Sequence, residues 1–146
     1  RSVSAARRSA SRSIAIGPDM SAGAPAIIRV GDLPEPALEA VAAFHARWAE
    51  DVRNAAVQGS ECIVVTMRPA PFDHADWRRA AARDLARAHP DHCINIVAGS
   101  DAGAVARMVE FLGRAPAITG QYLPLAETGP CESGADDRHA DDDTEG

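Results

Sequence analysis

The chain contains no lysine, and all 15 of its basic residues are arginines. Within these 146 residues there is therefore no amine for a Schiff base, a Walker-type phosphate site or lysine-assisted proton transfer. Aromatic residues are also scarce, at 4%, so we expect a core of Ala, Val, Ile and Leu. The abundance of Ala and Arg is typical of a GC-rich coding genome, which favours a bacterial source.

Cysteines and long apolar runs are few as well. Cys62, Cys93 and Cys131 show no CxxC spacing, and the first two lie in apolar, strand-like runs. This pattern predicts buried, reduced thiols in a cytoplasmic protein. No apolar run approaches the length of a membrane span, so we expect no membrane association.

The net charge of −6 is concentrated at the ends of the chain. Residues 1–24 carry four Arg and one acid, residues 125–146 carry eight acids and one Arg, and the ten Arg and twelve acids between them nearly cancel. A nearly neutral centre argues against nucleic acid as a partner. We expect a disordered leader (1–24), in which Met20 is an alternative start, one folded domain (25–125) and a disordered acidic tail (126–146).

The apolar pattern predicts four strands that alternate with three helices. The expected strands are residues 26–30, 62–65, 93–98 and 118–125. Asp32 and Glu35 have the spacing of a capping box and predict a first helix that runs to about residue 57. The second and third helices are expected from Asp73 or Asp76 to His89, and from Ala102 to Leu112 with Gly113 as the C-terminal cap.

The βαβαβαβ order predicts an α/β fold with a Rossmann-like parallel sheet of about four strands and right-handed crossovers. If the strands lie side by side in sequence order, crossovers of one hand place every helix on the same face. The opposite face would then lack cover, which favours a partner or an oligomer.

Two segments in the second half carry a family resemblance. Residues 111–125 read FLGRAPAITGQYLPL. They resemble the C-terminal signature of short-chain dehydrogenases/reductases, in which a helix ending in FL precedes ITGQ and an LPVDGG-like strand. Residues 85–99, LARAHPDHCINIVAG, resemble the family's LA and RVNAVAPG segment, with a different spacing and no Pro before the Gly. The resemblance covers roughly residues 61–129 and implies the end of a Rossmann fold.

The departures from the family pattern bear on activity. The family's cofactor loop, TGxxxGxG, has no counterpart, because Val30-Gly31-Asp32 lacks the further glycines. The family's catalytic YxxxK would fall near residues 72–76, where Phe72 stands at the tyrosine position and Asp76 lies near the lysine position. The only tyrosine, Tyr122, lies in the last strand. The resemblance therefore implies a shortened relative without reductase activity. It implies no catalytic residue and no bound NAD(P).

The resemblance also implies where partners bind. In the family, the helix equivalent to residues 76–89 takes part in a four-helix subunit interface, and the last helix and strand form a second one. Both regions are present here. The implied assembly is a homodimer or a heteromer with a short-chain reductase.

One loop offers a ligand-binding alternative. Gly99, Ser100, Asp101 and Gly103 join a strand to a helix N-terminus, which is a place where an anion can bind. Ordinary N-capping explains the same residues and is favoured, because the Asp101 carboxylate would repel phosphate.

A second alternative is rebuilt chemistry near the start of the second helix. His74 lies between Asp73 and Asp76, and a histidine with a neighbouring carboxylate can act as a general base. A solvated helix start is the favoured interpretation of the same residues. No metal site is expected from the set His89, His92 and Cys93, whose spacing fits no zinc pattern.

An arginine stripe, Arg79, Arg83 and Arg87, follows one side of the second helix. It could meet an acidic partner, but a solvated face with local ion pairs is favoured.

Three functional hypotheses remain open from the sequence. The leading one is a non-catalytic subunit that associates with itself or with a full-length reductase. The others are a residual nucleotide- or acyl-binding module near Gly99–Gly103 and an enzyme with rebuilt chemistry around His74 and Asp76.

Overall fold

The computed structural model describes residues 24–127, which form one four-stranded parallel sheet with helices on both faces. The strands, which lie side by side in sequence order, are β1 (Ala26–Arg29), β2 (Cys62–Met67), β3 (Cys93–Ala98) and β4 (Tyr122–Pro124). The expected α/β fold with four parallel strands is therefore confirmed. The expectations for the leader and the acidic tail, with Met20 and Cys131, lie outside the described residues, as do the other residues before 24 and after 127.

The helices connect the strands in the expected order. They are α1 (Ala37–Arg47), α2 (Ala49–Val57), α3 (Ala75–Ala88), which follows a 3-10 turn at Phe72–His74, and α4 (Ala102–Gly113). The single helix expected before β2 is thus divided at Trp48, where ψ is −19°. The hydrogen bonds Trp48 N to Phe44 O and Val52 N to Trp48 O carry the chain through this point, so the division is a local distortion.

The predicted capping box at the start of α1 is wrong. The helix begins at Ala37, after Pro36, and no side chain caps it. Leu33 and Glu35 each precede a proline, and a residue before proline is disfavoured in the helical conformation. Two such positions in succession delay the helix beyond Asp32, whose carboxylate instead pairs with Arg68 at 3.1 Å.

The end of α4 and the extent of β4 also differ from expectation. Gly113 is the last residue of α4 rather than its cap, and Arg114 occupies the cap position with a negative φ of −98°. The last strand covers only Tyr122–Pro124. The preceding loop turns at Gly120, where φ is +70° and a methyl group added to the glycine would lie 3.4 Å from the Ala86 Cβ. Glycine therefore suits this position both for its backbone conformation and for the close approach to α3.

The sheet separates two apolar clusters. On one face, α1, α2 and α3 cover the alternating β2 and β3 residues Ile63, Val65, Ile94 and Ile96. On the other face, α4 packs on the intervening residues, among them Val64 and Val97. Each fully buried aliphatic side chain contributes about 1.5–3 kcal/mol to the free energy of unfolding. The core therefore lies along both faces of β2 and β3.

The position of α4 corrects the expected uncovered face. The strands advance in one direction across the sheet, yet α4 lies on the face opposite to α1–α3. The last crossover consequently has the opposite hand to the first two and departs from the same-handed arrangement expected from the sequence. Residues 24–127 leave the sheet incompletely covered beside β1, where Ile27 points to the α4 face and is 42% exposed.

Candidate functional site

A cavity of about 260 Å³ lies where β1 and β2 end. In parallel α/β sheets, ligands bind outside the carboxyl ends of the strands, so this is the expected side for a site. Gly31 follows β1, and Met67 ends β2 and leads into a proline-containing loop. The wall residues are Gly31, Asp32, Leu33, Pro34, Glu35, Met67, Arg68, Pro69, Ala70, Pro71, His74 and Arg78.

His74 joins this wall through two hydrogen bonds. Its side chain is only 4% exposed, so the expected solvated position is wrong. The Trp77 indole N–H donates to Nδ1 at 3.2 Å, and Nε2 lies 2.8 Å from the Glu35 carbonyl oxygen. An acceptor Nδ1 requires the proton on Nε2, which donates to Glu35. Both ring nitrogens are thus occupied, and neither is free to take a proton from a substrate.

The residues at the expected catalytic positions face solvent. Phe72 is 86% exposed. The Asp76 side chain is 93% exposed and pairs with Arg79 at 3.1 Å. The two side chains near the start of α3 that line the cavity are instead those of His74 and Arg78. They are four residues apart, as Phe72 and Asp76 are. Rebuilt chemistry that uses His74 with Asp76 has no geometric support, because the two side chains do not converge on the cavity.

Arg78 is a buried charge that sequence reasoning missed. Its side chain is 3% exposed, and its Nη1 donates to the Arg68 carbonyl at 2.9 Å and to the Tyr122 hydroxyl at 3.4 Å. The guanidinium also lies 5.4 Å from the Trp77 ring centre and 5.9 Å from that of Tyr122. Nε has no hydrogen-bond partner. Burial of a charge costs several kcal/mol unless it is paired, so this guanidinium is only partly compensated.

The sequence held a weak signal for Arg78. It is adjacent to Arg79 and lies one helical turn before Ala81 and Ala82, which are buried. That spacing places Arg78 on the inner side of α3, whereas Arg79 falls on the outer side. The expected outer stripe is confirmed: Arg79 pairs with Asp76, and Arg87 pairs with Asp84. Exposed pairs of this kind contribute about 0–1 kcal/mol each.

The loop between β3 and α4 has the geometry of an N-cap. Asp101 Oδ1 accepts a hydrogen bond from the Gly103 amide at 2.8 Å. This is the N-capping role that the sequence analysis favoured. Ser100 Oγ donates to Glu127 Oε1 at 2.9 Å. A methyl added at Gly99 would meet Val105 at 3.0 Å, so this glycine serves close packing. Two carboxylates at this helix start give an approaching anion no electrostatic support.

Cys62 and Cys93 are buried free thiols, as expected, and are neighbours in the β2–β3 register. Their sulfur atoms lie 3.5 Å apart, and the Cys93 thiol donates to the Ile118 carbonyl at 2.8 Å. Burial, reinforced by Cys93, raises the pKa of the Cys62 thiol to about 12. The thiolate of Cys62 is therefore suppressed at neutral pH, which disfavours a nucleophilic role.

Asn95 is a further buried polar residue whose role is structural. Its side chain is fully buried in β3. Nδ2 donates to the Ile118 carbonyl at 2.7 Å, and Oδ1 accepts from the Gln121 amide at 3.0 Å. The two bonds fix the loop that leads into β4. This clamp holds the ITGQ segment against β3.

His92, which follows α3, binds a backbone group, and His89 lies beside it. His92 Nδ1 lies 2.8 Å from the Ser60 carbonyl oxygen, and the rings of His89 and His92 are 6.3 Å apart. Across residues 24–127, no three His, Cys, Asp or Glu side chains converge as a metal site requires. In the same range, no helix has the length and apolarity needed to cross a bilayer.

The residues at the cavity do not fit a dinucleotide. Gly31 is the one glycine on the described cavity wall, so the wall lacks the further glycines that let a backbone approach a pyrophosphate closely. The cavity of about 260 Å³ is also smaller than pockets for drug-sized ligands, at roughly 300–1,000 Å³.

Comparison with known proteins identifies the family. The sequence model of a family described as "SDR-like: Short chain dehydrogenase-like protein" matches residues 28–125. The match starts well before the resemblance noted at residues 61–129 and includes the end of β1 and all of α1 and α2. No curated protein and no solved structure matches the chain. The chain belongs to the short chain dehydrogenase-like family.

Proposed function

We propose that this chain is a non-catalytic member of its family that associates, through the surface beside β1 and α4, with a second copy of itself or with a full-length reductase. A cytoplasmic location fits the two buried free thiols of the described region. The observation that carries the proposal is that Ile27, on the α4 face of the sheet, is only partly covered by the residues that the structure describes.

The missing catalytic chemistry supports the non-catalytic part. The chain has no lysine, and the Phe72 and Asp76 side chains face solvent. His74, the nearest alternative base, uses both ring nitrogens for protein contacts. Neither His74 nor the family's catalytic positions thus supply a proton-transfer group at the cavity, where the carboxylates are Asp32, which pairs with Arg68, and the exposed Glu35.

The β1 side of the α4 face supports association. A groove of about 400 Å³ runs between β1 and α4, and most of its lining is apolar: Ala24, Pro25, Ile27, Ala106 and Val109, with Glu110 and Arg114. Parallel sheets are normally covered on both faces, and open edge strands invite pairing. An apolar centre with a polar rim is also the usual anatomy of a protein interface.

The rim favours a second copy as the first partner to test. Glu110 on α4 and Arg114 at its C-terminal cap carry opposite charges, lie about one turn apart and pair with each other. A two-fold axis would place Glu110 of one copy near Arg114 of the other, because an isologous interface uses the same patch twice. The outer side of α3, the alternative interface region, carries two such ion pairs, and its surface is more charged than the β1–α4 groove.

Light scattering coupled to size exclusion tests the proposal on the full chain. We expect a dimer at micromolar concentration, or a heteromer when a family reductase is co-expressed. A monomer that also fails to co-purify with such a reductase would remove the associative role. Reductase activity of the purified chain with NADH or NADPH would contradict the proposal that the chain is non-catalytic.

A further inference from the structure

Cys62 and Cys93 are the first residues of β2 and β3, and their sulfur atoms are in contact at 3.5 Å. The two residues are direct neighbours in the parallel register, and both side chains belong to the apolar cluster on the α4 face. Neighbouring strands lie about 4.7–4.9 Å apart, which is within the Cα separation of about 4.4–6.8 Å that a disulfide spans. The backbone can therefore hold a bond between these two sulfurs without a movement of the strands.

Both thiols also contact the segment that connects α4 to β4. Cys62 Sγ lies 3.7 Å from the Leu112 carbonyl oxygen, and the Cys93 thiol donates to the Ile118 carbonyl at 2.8 Å. These two carbonyls lie at the beginning and the end of residues 112–118, which we call the connecting segment. A disulfide has no S–H group to donate, so its formation removes both contacts at once.

The position of the pair at the strand ends bears on its access to reagents. Cys62 is 8% exposed and Cys93 is 6% exposed, whereas Val64 and Val97 of the same cluster are fully buried. Local opening costs less at the end of an element than at the centre of the core. A small oxidant can therefore reach the sulfurs during such openings, and we expect a slow reaction.

We propose that Cys62 and Cys93 form a redox-active dithiol, which a hydroperoxide closes to a disulfide and which thereby loosens the connecting segment. The Cys93 sulfur attacks one peroxide oxygen, the O–O bond breaks, and the departing oxygen leaves with the thiol proton as an alcohol or water. The Cys62 sulfur then attacks the sulfur of the resulting sulfenic acid, the S–O bond breaks, and water leaves with the Cys62 proton. The two cysteines lose two electrons, and the hydroperoxide gains them. The inference does not depend on the proposed association, because both cysteines lie in one chain.

The surroundings of the two sulfurs determine the order of these steps. Asn95 Nδ2 donates to Cys93 Sγ at 3.4 Å, which supports negative charge on the sulfur that attacks first. Burial raises the pKa of the Cys62 thiol from 9.0 to about 12, and this lowers its thiolate fraction about 1,000-fold at neutral pH. A well-oriented neighbour supplies an effective concentration of about 10⁵–10⁸ M, which outweighs that loss. Cys62 is therefore a poor nucleophile toward a free oxidant but a competent one toward the oxidised Cys93.

Peptide mapping of the reduced full chain after treatment with hydrogen peroxide tests the inference. Free thiols are alkylated with N-ethylmaleimide after quenching and unfolding, and the chain is then cleaved at arginine, which places Cys62, Cys93 and Cys131 in separate peptides. We expect one dominant cross-linked pair, Cys62 with Cys93, which dithiothreitol reverses. Recovery of both residues as alkylated thiols, or cross-links that mainly involve Cys131, would overturn the inference.

Hydrogen exchange and two variants locate the effect. In the oxidised chain, the Ala115 and Ile118 amides of the connecting segment should exchange about two- to five-fold faster, because hydrogen bonds to this segment are lost. Cys131→Ser should leave the cross-link and this response unchanged. Cys62→Ala removes the partner of Cys93, so peroxide should carry Cys93 on to the sulfinic acid. Unchanged exchange in the cross-linked chain, or loss of the cross-link in Cys131→Ser, would contradict the inference. If Cys62→Ala does not fold, the peptide map and the exchange of the unaltered chain decide alone.

Discussion

The indole N–H of Trp77 donates to Nδ1 of His74 at 3.2 Å, and this bond determines which ring nitrogen of His74 carries the proton. The other nitrogen then donates to the Glu35 carbonyl at 2.8 Å. The pair joins the start of α3 to the segment between β1 and α1. A histidine that sequence reasoning placed in solvent, as a possible base, is therefore part of the scaffold.

His74→Ala should lower the free energy of unfolding by about 1–3 kcal/mol, because it leaves the Glu35 carbonyl and the Trp77 N–H without their partner. Urea unfolding followed by circular dichroism measures the change. His45→Ala, at an exposed position on α1, is the matched control and should stay within about 0.5 kcal/mol. Equal stability of the two variants would contradict the scaffold role.

Asn95→Ala should cost about 2–4 kcal/mol, since it removes the partners of the Ile118 carbonyl and the Gln121 amide from a fully buried position. Hydrogen exchange should show loss of protection at β4 before β2. Gln121→Ala removes only an exposed side chain, which donates to Thr119 at 3.2 Å, and should have little effect. A loss of stability that leaves β4 protection unchanged would argue against the clamp.

Alkaline pH should destabilise the fold through Cys62. Its pKa is raised from 9.0 to about 12 by burial, so the folded state keeps a proton that the unfolded state releases. The stabilisation is fully present below about pH 9 and is lost as the pH rises toward 12, with a limiting slope of about 1.4 kcal/mol per pH unit. Unfolding should change little between pH 8 and 9 and approach this slope between pH 10 and 11, and Cys62→Ala should reduce the slope. An unchanged slope in the variant would place the alkaline effect elsewhere.

The strands could be predicted from the sequence because β2 and β3 are continuous apolar runs between clear breaks. The expected bounds of β3 agree with Cys93–Ala98, and those of β2 are two residues short. The expected start of α1 is wrong. The capping pattern predicts a helix that begins after Asp32, whereas Pro34 and Pro36 disfavour the helical conformation in the residues before them, and the structure follows the prolines. The face occupied by α4 could not be predicted, because helix periodicity gives an apolar side but not the hand of the crossover.

The candidate site was harder to predict than the fold. Phe72 and Asp76 follow from counting along a family pattern, whereas the residues of this segment that line the cavity are His74, at the end of the 3-10 turn, and Arg78, on α3. The expected surface stripe of α3, Arg79, Arg83 and Arg87, is confirmed. Arginine is rarely buried, so the pattern gave no reason to expect that the adjacent Arg78 lies inside.

The mass of the Ile27→Glu variant in solution, measured by light scattering beside the unaltered chain, tests the central claim most directly. Ile27 lies in the β1–α4 groove and is 42% exposed, so a charge there should be tolerated by the fold but not by an interface. Val57→Glu, 81% exposed at the end of α2, is the matched control. The account predicts dimers for the unaltered chain and for Val57→Glu and a monomer for Ile27→Glu. A dimer that survives Ile27→Glu unchanged, or an unaltered chain that is monomeric and ignores a family reductase, would contradict it.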